Sequence, residues 1–183
     1  MEQEFSPRRC KDTRKPPADQ CPEVAFYRCP ACKALYPVTG GKDLENKQIQ
    51  CCGHMAERLI PTPAASAADI MAVSYEITGG YNDNTVRVSW KSKPYGRRPE
   101  WVYLKTFTGG YLKYVSDTKR PPLAFALADT DAFCYCDEDP CLECVFRCKR
   151  GFIVYVYDLE AGLIEMPMDK MTAHWQSGGK KPV

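Results

Sequence analysis

Four cysteines in the first third of the chain have the spacing of a metal cage. Cys29-Pro30-Ala31-Cys32 is followed, 18 residues on, by the adjacent pair Cys51-Cys52 and then Gly53-His54-Met55. Thiolates from two nearby segments can enclose one tetrahedral ion, and a C-x-x-C loop aims backbone amides at its sulfurs, which lowers their charge. Four sulfurs with no nitrogen suit zinc or a single iron. Ordinary buried thiols or a C-x-x-C redox pair are the plainer readings, but four cysteines at this spacing favour ligation at Cys29, Cys32, Cys51 and Cys52. The contiguous pair is the discriminating feature, because zinc ribbons close with a second C-x-x-C.

A second group is denser. Cys134, Cys136, Cys141, Cys144 and Cys148 place five thiols in 15 residues around the turn-forming Asp137-Glu138-Asp139-Pro140. The spacing at Cys136, Cys141 and Cys144 is that of plant-type ferredoxin ligands, although short spacings recur by chance in such segments. The group reads either as a second closed site, zinc or an iron–sulfur cluster, or as a cysteine-rich loop with a disulfide. Cys10 and Cys21 lie in an irregular leader and are expected to ligate nothing. His54 is expected at the surface, since four sulfurs already fill a tetrahedron. Lys91, Lys93, Arg97 and Arg98 cluster around a turn, as a solvated face or a docking patch for an acidic redox partner.

The elements that must position these groups read as strands. Residues 1–24 carry Pro7, Pro16, Pro17 and Pro22 among mixed charges and form the leader. Residues 25–60 hold the first cysteines between short strand-like pieces, Phe26-Tyr27-Arg28 and Ile49-Gln50, around Gly40-Gly41. Residues 61–72, with Pro61-Thr62-Pro63 and an Ala/Ser run, read as a linker. From Val73 the pattern is strongly β: Thr85 to Trp90 alternates, Trp101 to Leu104 and Tyr111 to Val115 flank Gly109-Gly110, and Phe152 to Tyr157 is β-branched and aromatic. Short strands at this spacing imply a sandwich or barrel over residues 73–176, with the cysteine-rich insert 134–148 and a tail at 177–183. The fold class is therefore mainly β.

Composition bounds the rest. The 183 residues fit one domain or two small ones, and 44% hydrophobic with 26% charged residues is ordinary for a folded chain. A net charge of +2 makes no electrostatic case for nucleic acid or an anionic membrane. Apolar runs such as Ile153 to Tyr157 are far shorter than a membrane helix needs, so no membrane span is expected. The N-terminus does not read as a secretory signal. Eleven cysteines, an odd number, cannot all pair, and in a reducing compartment clustered cysteines point to metal. With only two histidines, His54 and His174, one chain cannot build a site of three or four imidazoles.

The stretch from Tyr27-Arg28-Cys29-Pro30-Ala31-Cys32 to Cys51-Cys52-Gly53-His54-Met55 resembles desulforedoxin and the N-terminal module of desulfoferrodoxin, which carry C-x-x-C and then CCG followed by Met. The resemblance implies a single iron held as a rubredoxin-like tetrathiolate by Cys29, Cys32, Cys51 and Cys52. A weaker likeness runs on over residues 72–136. Gly79-Gly80-Tyr81, Pro99-Glu100-Trp101-Val102, Gly109-Gly110-Tyr111-Leu112-Lys113, Pro121-Pro122-Leu123-Ala124-Phe125 and Tyr135-Cys136 follow the order of the family's motifs. It implies an immunoglobulin-like β-sandwich, which in the family holds a superoxide reductase iron on four histidines and one cysteine. Here the histidine positions fall on Arg97, within Lys91 to Tyr95, and near Met71, and the one expected after Cys136 falls on Asp139. Only the cysteine has a counterpart.

The expectation is thus an iron-binding redox protein that transfers single electrons through a four-thiolate centre, without a complete superoxide reductase site. Two alternatives stand beside it: a non-catalytic zinc- or iron–sulfur-binding accessory subunit of a larger redox complex, and a divergent superoxide reductase acting at Cys136. The resemblance further implies a homodimer, a cytoplasmic location and an anaerobic source, with a redox protein as partner.

Overall fold

The structure, a computed structural model, describes residues 21–40, 43–79, 83–93, 96–132, 149 and 151–168. The cysteines at 134, 136, 141, 144 and 148, together with Cys10 and His174, lie outside them. The described chain is mostly β. Its elements are β1 (Val24–Arg28), β2 (Leu35–Thr39), β3 (Gln50–Cys51), β4 (His54–Met55), β5 (Glu57–Leu59), β6 (Pro61–Pro63), the single turn α1 (Ala64–Ala67), β7 (Met71–Gly79), β8 (Asp83–Ser92), β9 (Trp101–Lys105), β10 (Gly110–Tyr114), β11 (Leu123–Ala128), β12 (Ile153–Asp158) and β13 (Gly162–Pro167).

Two sheets form a sandwich: a five-stranded sheet in the order β10-β9-β12-β13-β6, and a three-stranded one in the order β11-β8-β7. Between them lie Ile77, Val86, Val88 and Phe125 from the smaller sheet and Val102, Leu104, Val154, Val156 and Ile164 from the larger. In β11 only the alternate residues Leu123, Phe125 and Leu127 are buried, so the outer face of that sheet is open to solvent. In β9 all five residues are buried, and β12 is nearly so. Their even-numbered residues enter the sandwich core. The odd-numbered Trp101, Tyr103, Tyr155 and Tyr157 point the other way and meet a third layer.

That third layer is the sheet β2-β1-β5, which carries the first cysteines. Strand periodicity divides β1 in the same manner. Ala25 and Tyr27 turn inward onto Leu44 and Ala56, the layer's own small core. Phe26, 1% exposed, turns outward into the aromatic group of the five-stranded sheet, with ring centroids 5.1 Å from Trp101, Tyr103 and Tyr155 alike. Burying one such ring stabilises by about 2–3 kcal/mol, and its edge-to-face contacts add roughly 1 kcal/mol.

Two expectations need correcting. The stretch 61–72 is no linker: β6 pairs parallel with β13 at the edge of the five-stranded sheet, and Ala67 and Met71 enter the sandwich core. An edge is where a sheet accepts proline, since one side of the strand has no ladder to complete. The end of the leader is also integrated, with Cys21 at 4% exposure in the same core and Glu23 accepting from the buried Lys105 ammonium at 2.9 Å. Residues 106–109 connect β9 to β10, closed by the Thr106 amide donating to the Gly109 carbonyl, and Gly110 opens β10 opposite Lys105.

Candidate metal centre

Two turns bring the four early cysteines together. The first follows β1, where the Cys29 amide donates to the Ala34 carbonyl and the Lys33 amide returns to the Cys29 carbonyl, both at 3.0 Å. Lys33 takes a left-handed φ of 62° to close this loop. The second joins β3 to β4. Cys51 pairs with His54, leaving Cys52 and Gly53 as a two-residue turn with φ of 53° and 75°. Two successive positive φ values are the signature of a type I′ turn. In an extended strand, neighbouring side chains point to opposite faces; the turn removes that alternation and lets contiguous cysteines serve one site.

Hydrogen bonds hold the second turn against the first. The Tyr27 hydroxyl donates to the Leu44 carbonyl at 2.5 Å and accepts from the Lys47 amide at 3.1 Å, which anchors the approach to β3. The Ala56 amide donates to the Ile49 carbonyl at 2.7 Å behind the hairpin. In the result, the sulfurs of Cys29, Cys32, Cys51 and Cys52 all lie within 4.8 Å of one another. The Cys32–Cys51 and Cys51–Cys52 sulfur separations are 3.5 and 3.8 Å. None of the four is in a disulfide. A tetrahedral ion with bonds of about 2.3 Å requires sulfur–sulfur edges of about 3.8 Å, so the donor set fits a four-thiolate metal. Cys29 is fully buried, whereas Cys32 and Cys52 are exposed, so the cage is closed toward the protein and open on one edge. His54 is exposed and outside the cluster.

The thiols do not share the load equally. The Ala34 amide, helped by hydrogen bonds with Cys51, Cys29 and Cys52, draws the Cys32 thiol down to about 7. Cys51 moves up: the Tyr36 hydroxyl, its strongest influence, lowers it, but hydrogen bonds with Cys32 and Cys29 and desolvation outweigh that. Cys52 rises to about 12 because of its hydrogen bonds with Cys32 and Cys51, whose charges also oppose its ionisation. The Tyr36 hydroxyl, bonded to Cys51, is likewise pushed up to about 12. Four negative sulfurs this close repel, and a bound cation reverses that balance.

Sequence reasoning missed Tyr36, four residues beyond Cys32 on β2. It also missed the clamp beside the cage. Arg28, next to Cys29, donates to both oxygens of Glu100, at 3.2 and 2.9 Å, and to the Tyr157 hydroxyl at 2.5 Å. These ties cross from the cysteine layer to the sandwich.

The remaining candidates are dispersed. Arg97 pairs with Asp158 and Glu160, and Arg98 pairs with Asp117 while donating to the Val115 carbonyl. Lys93 lies 3.7 Å from Asp69, and Lys91 is exposed on β8. The five cysteines from 134 to 148 are outside the described residues, but the chain on either side of them meets. The fully buried Lys149 donates to the carbonyls of Asp131 and Ala132 at 2.8 and 2.7 Å. No helix among the described residues is long and apolar enough to cross a membrane.

Among solved structures, the chain is similar to the superoxide reductase from Treponema pallidum. The TM-score is 0.50 at 14% identity, covering 79% of this chain and 98% of that one. At that identity the likeness shows a shared β-sandwich fold. No protein-family model and no curated protein sequence matches the chain.

Proposed function

We propose that the chain is a one-electron carrier that holds a single iron on Cys29, Cys32, Cys51 and Cys52 and lacks a complete superoxide reductase site. The convergence of four sulfurs within 4.8 Å carries the reading. The contiguous pair and a fold shared with a superoxide reductase favour iron over zinc. Bound there, iron supplies a reversible one-electron couple. The chain's own residues do the rest. Cys29 seals the inner side, the Ala34 amide and the Tyr36 hydroxyl direct protons at Cys32 and Cys51, and the exposed Cys32 and Cys52 offer an edge for a partner to approach.

Two histidines in the whole sequence support the absence of a four-histidine centre. We assign partner contact to the exposed sulfur edge. Of the cations expected to dock a partner, Lys93, Arg97 and Arg98 already face carboxylates of this chain. Anaerobic purification from iron-replete cells followed by a potentiometric titration tests the proposal. The expected result is a coloured protein with a single-electron wave that disappears in Cys29→Ser; a colourless protein containing only zinc contradicts it.

A structural zinc is the second reading. It is favoured by the small core of the cysteine layer, in which Ala25, Tyr27, Leu44 and Ala56 are the buried residues among those described. A layer that small draws folding energy from its metal. It predicts zinc, no redox wave, and a tight stoichiometric partner.

A further inference from the structure

A cavity of about 810 Å³ opens where the smaller sheet of the sandwich is incomplete, and none of the four cage cysteines is in its described lining. Strand β11 begins its ladder with Leu123 opposite Val88, so residues 89–92 of β8 have no strand partner on that side. The segments around Arg97 and around Arg120 wall off the gap. Five cations line it: Lys91, Arg97, Arg98, Lys119 and Arg120, with no acidic residue among the described lining. Arg97 and Arg98 are matched by carboxylates outside the cavity. The side chains of Lys91, Lys119 and Arg120 have no ion-pair or hydrogen-bond partner among the described residues, which leaves three unmatched positive charges facing one concavity.

Like charges gathered around one hollow raise each other's energy unless an anion joins them, and low-dielectric walls concentrate the field. The volume is that of a small-molecule site. We propose that this cavity binds a small polyanion bearing two or more phosphate or carboxylate groups. Lys119 and Arg120 hold it from the loop, Lys91 from β8, and Ser74 and Ser89 supply neutral hydroxyls. The site is independent of the metal, so its failure would leave the sulfur cage untouched.

The test is calorimetric titration of the full chain with pyrophosphate, tricarballylate and polyglutamate at low and at physiological salt. We expect saturable binding of one pyrophosphate per chain, weakened at least about tenfold in Lys119→Ala/Arg120→Ala and unchanged in Lys47→Ala, an exposed lysine elsewhere. Tricarballylate binding with the same dependence would assign the carboxylate source instead. Unchanged thermal unfolding of the double variant without anion confirms that it is folded; if it is not, Lys91→Ala takes its place with the same expectation. Equal weakening in Lys47→Ala, no saturable binding of either small anion, or binding of polyglutamate alone would overturn the proposal.

Discussion

Arg28 and Tyr157 are joined twice: the guanidinium donates to the hydroxyl at 2.5 Å, and its carbon sits 4.8 Å from the centre of the same ring. Tyr157 in turn stacks on Trp101, with ring centroids 5.2 Å apart and planes 8° from parallel. The residue before the first sulfur is thus fastened to the five-stranded sheet, and the cage is held against the sandwich as part of one body. Arg28→Ala removes that fastening together with the bond to Glu100. The expected cost is about 1–3 kcal/mol in urea denaturation, since Glu100 is left with an unmatched, partly buried charge. Metal content should persist, because Arg28 touches no sulfur. A midpoint equal to wild type would show that the clamp contributes nothing.

Gly53→Ala tests the turn that makes contiguous cysteines useful. A side chain at φ of 75° costs about 1 kcal/mol, although it meets open space. Metal affinity in a chelator competition should fall roughly five- to tenfold. Gly96→Ala, also at positive φ with open space but outside the cage, should leave affinity unchanged.

Protonation should be visible in protein stripped of metal. A thiol pulled down to about 7 is thiolate above that pH and protonated below it, so Cys32 should be alkylated first, with its rate rising through pH 7. Cys52, raised to about 12, should stay unreactive across the same range. Peptide mapping after brief iodoacetamide treatment at pH 6 to 8.5 checks this order; simultaneous labelling of both would refute it.

Tyr36→Phe removes a donor to Cys51 without altering the ligand count. Hydrogen bonds to sulfur favour the reduced, more negative centre. The potential of the iron-loaded protein should therefore drop by tens of millivolts, on the order of a fraction of one hydrogen bond. An unchanged potential would mean that the hydroxyl does not reach the ligand's electrons.

Much of the site was legible because its ligands are local. Cys29 and Cys32 share one turn, Cys51 and Cys52 another, and Gly53 marks the second. The unbroken apolar runs of β9 and β12 are strands covered on both faces, and that double cover follows from a layer stacked on the sandwich. What stayed hidden depends on contacts between distant segments. Arg28 meets Glu100 across 72 positions and Arg97 meets Asp158 across 61, and no local pattern announces either. The prolines of β6 suggested a linker because proline breaks most strands; its place at a sheet edge became clear only with the partner strand β13.

The most direct test of the central claim is X-ray absorption at the iron edge of the anaerobically purified full chain, compared with Cys51→Ala/Cys52→Ala. A shell of four sulfurs at about 2.3 Å that is lost in the double variant is the predicted result. A nitrogen- or oxygen-dominated shell, or a sulfur shell that survives removal of Cys51 and Cys52, would contradict it.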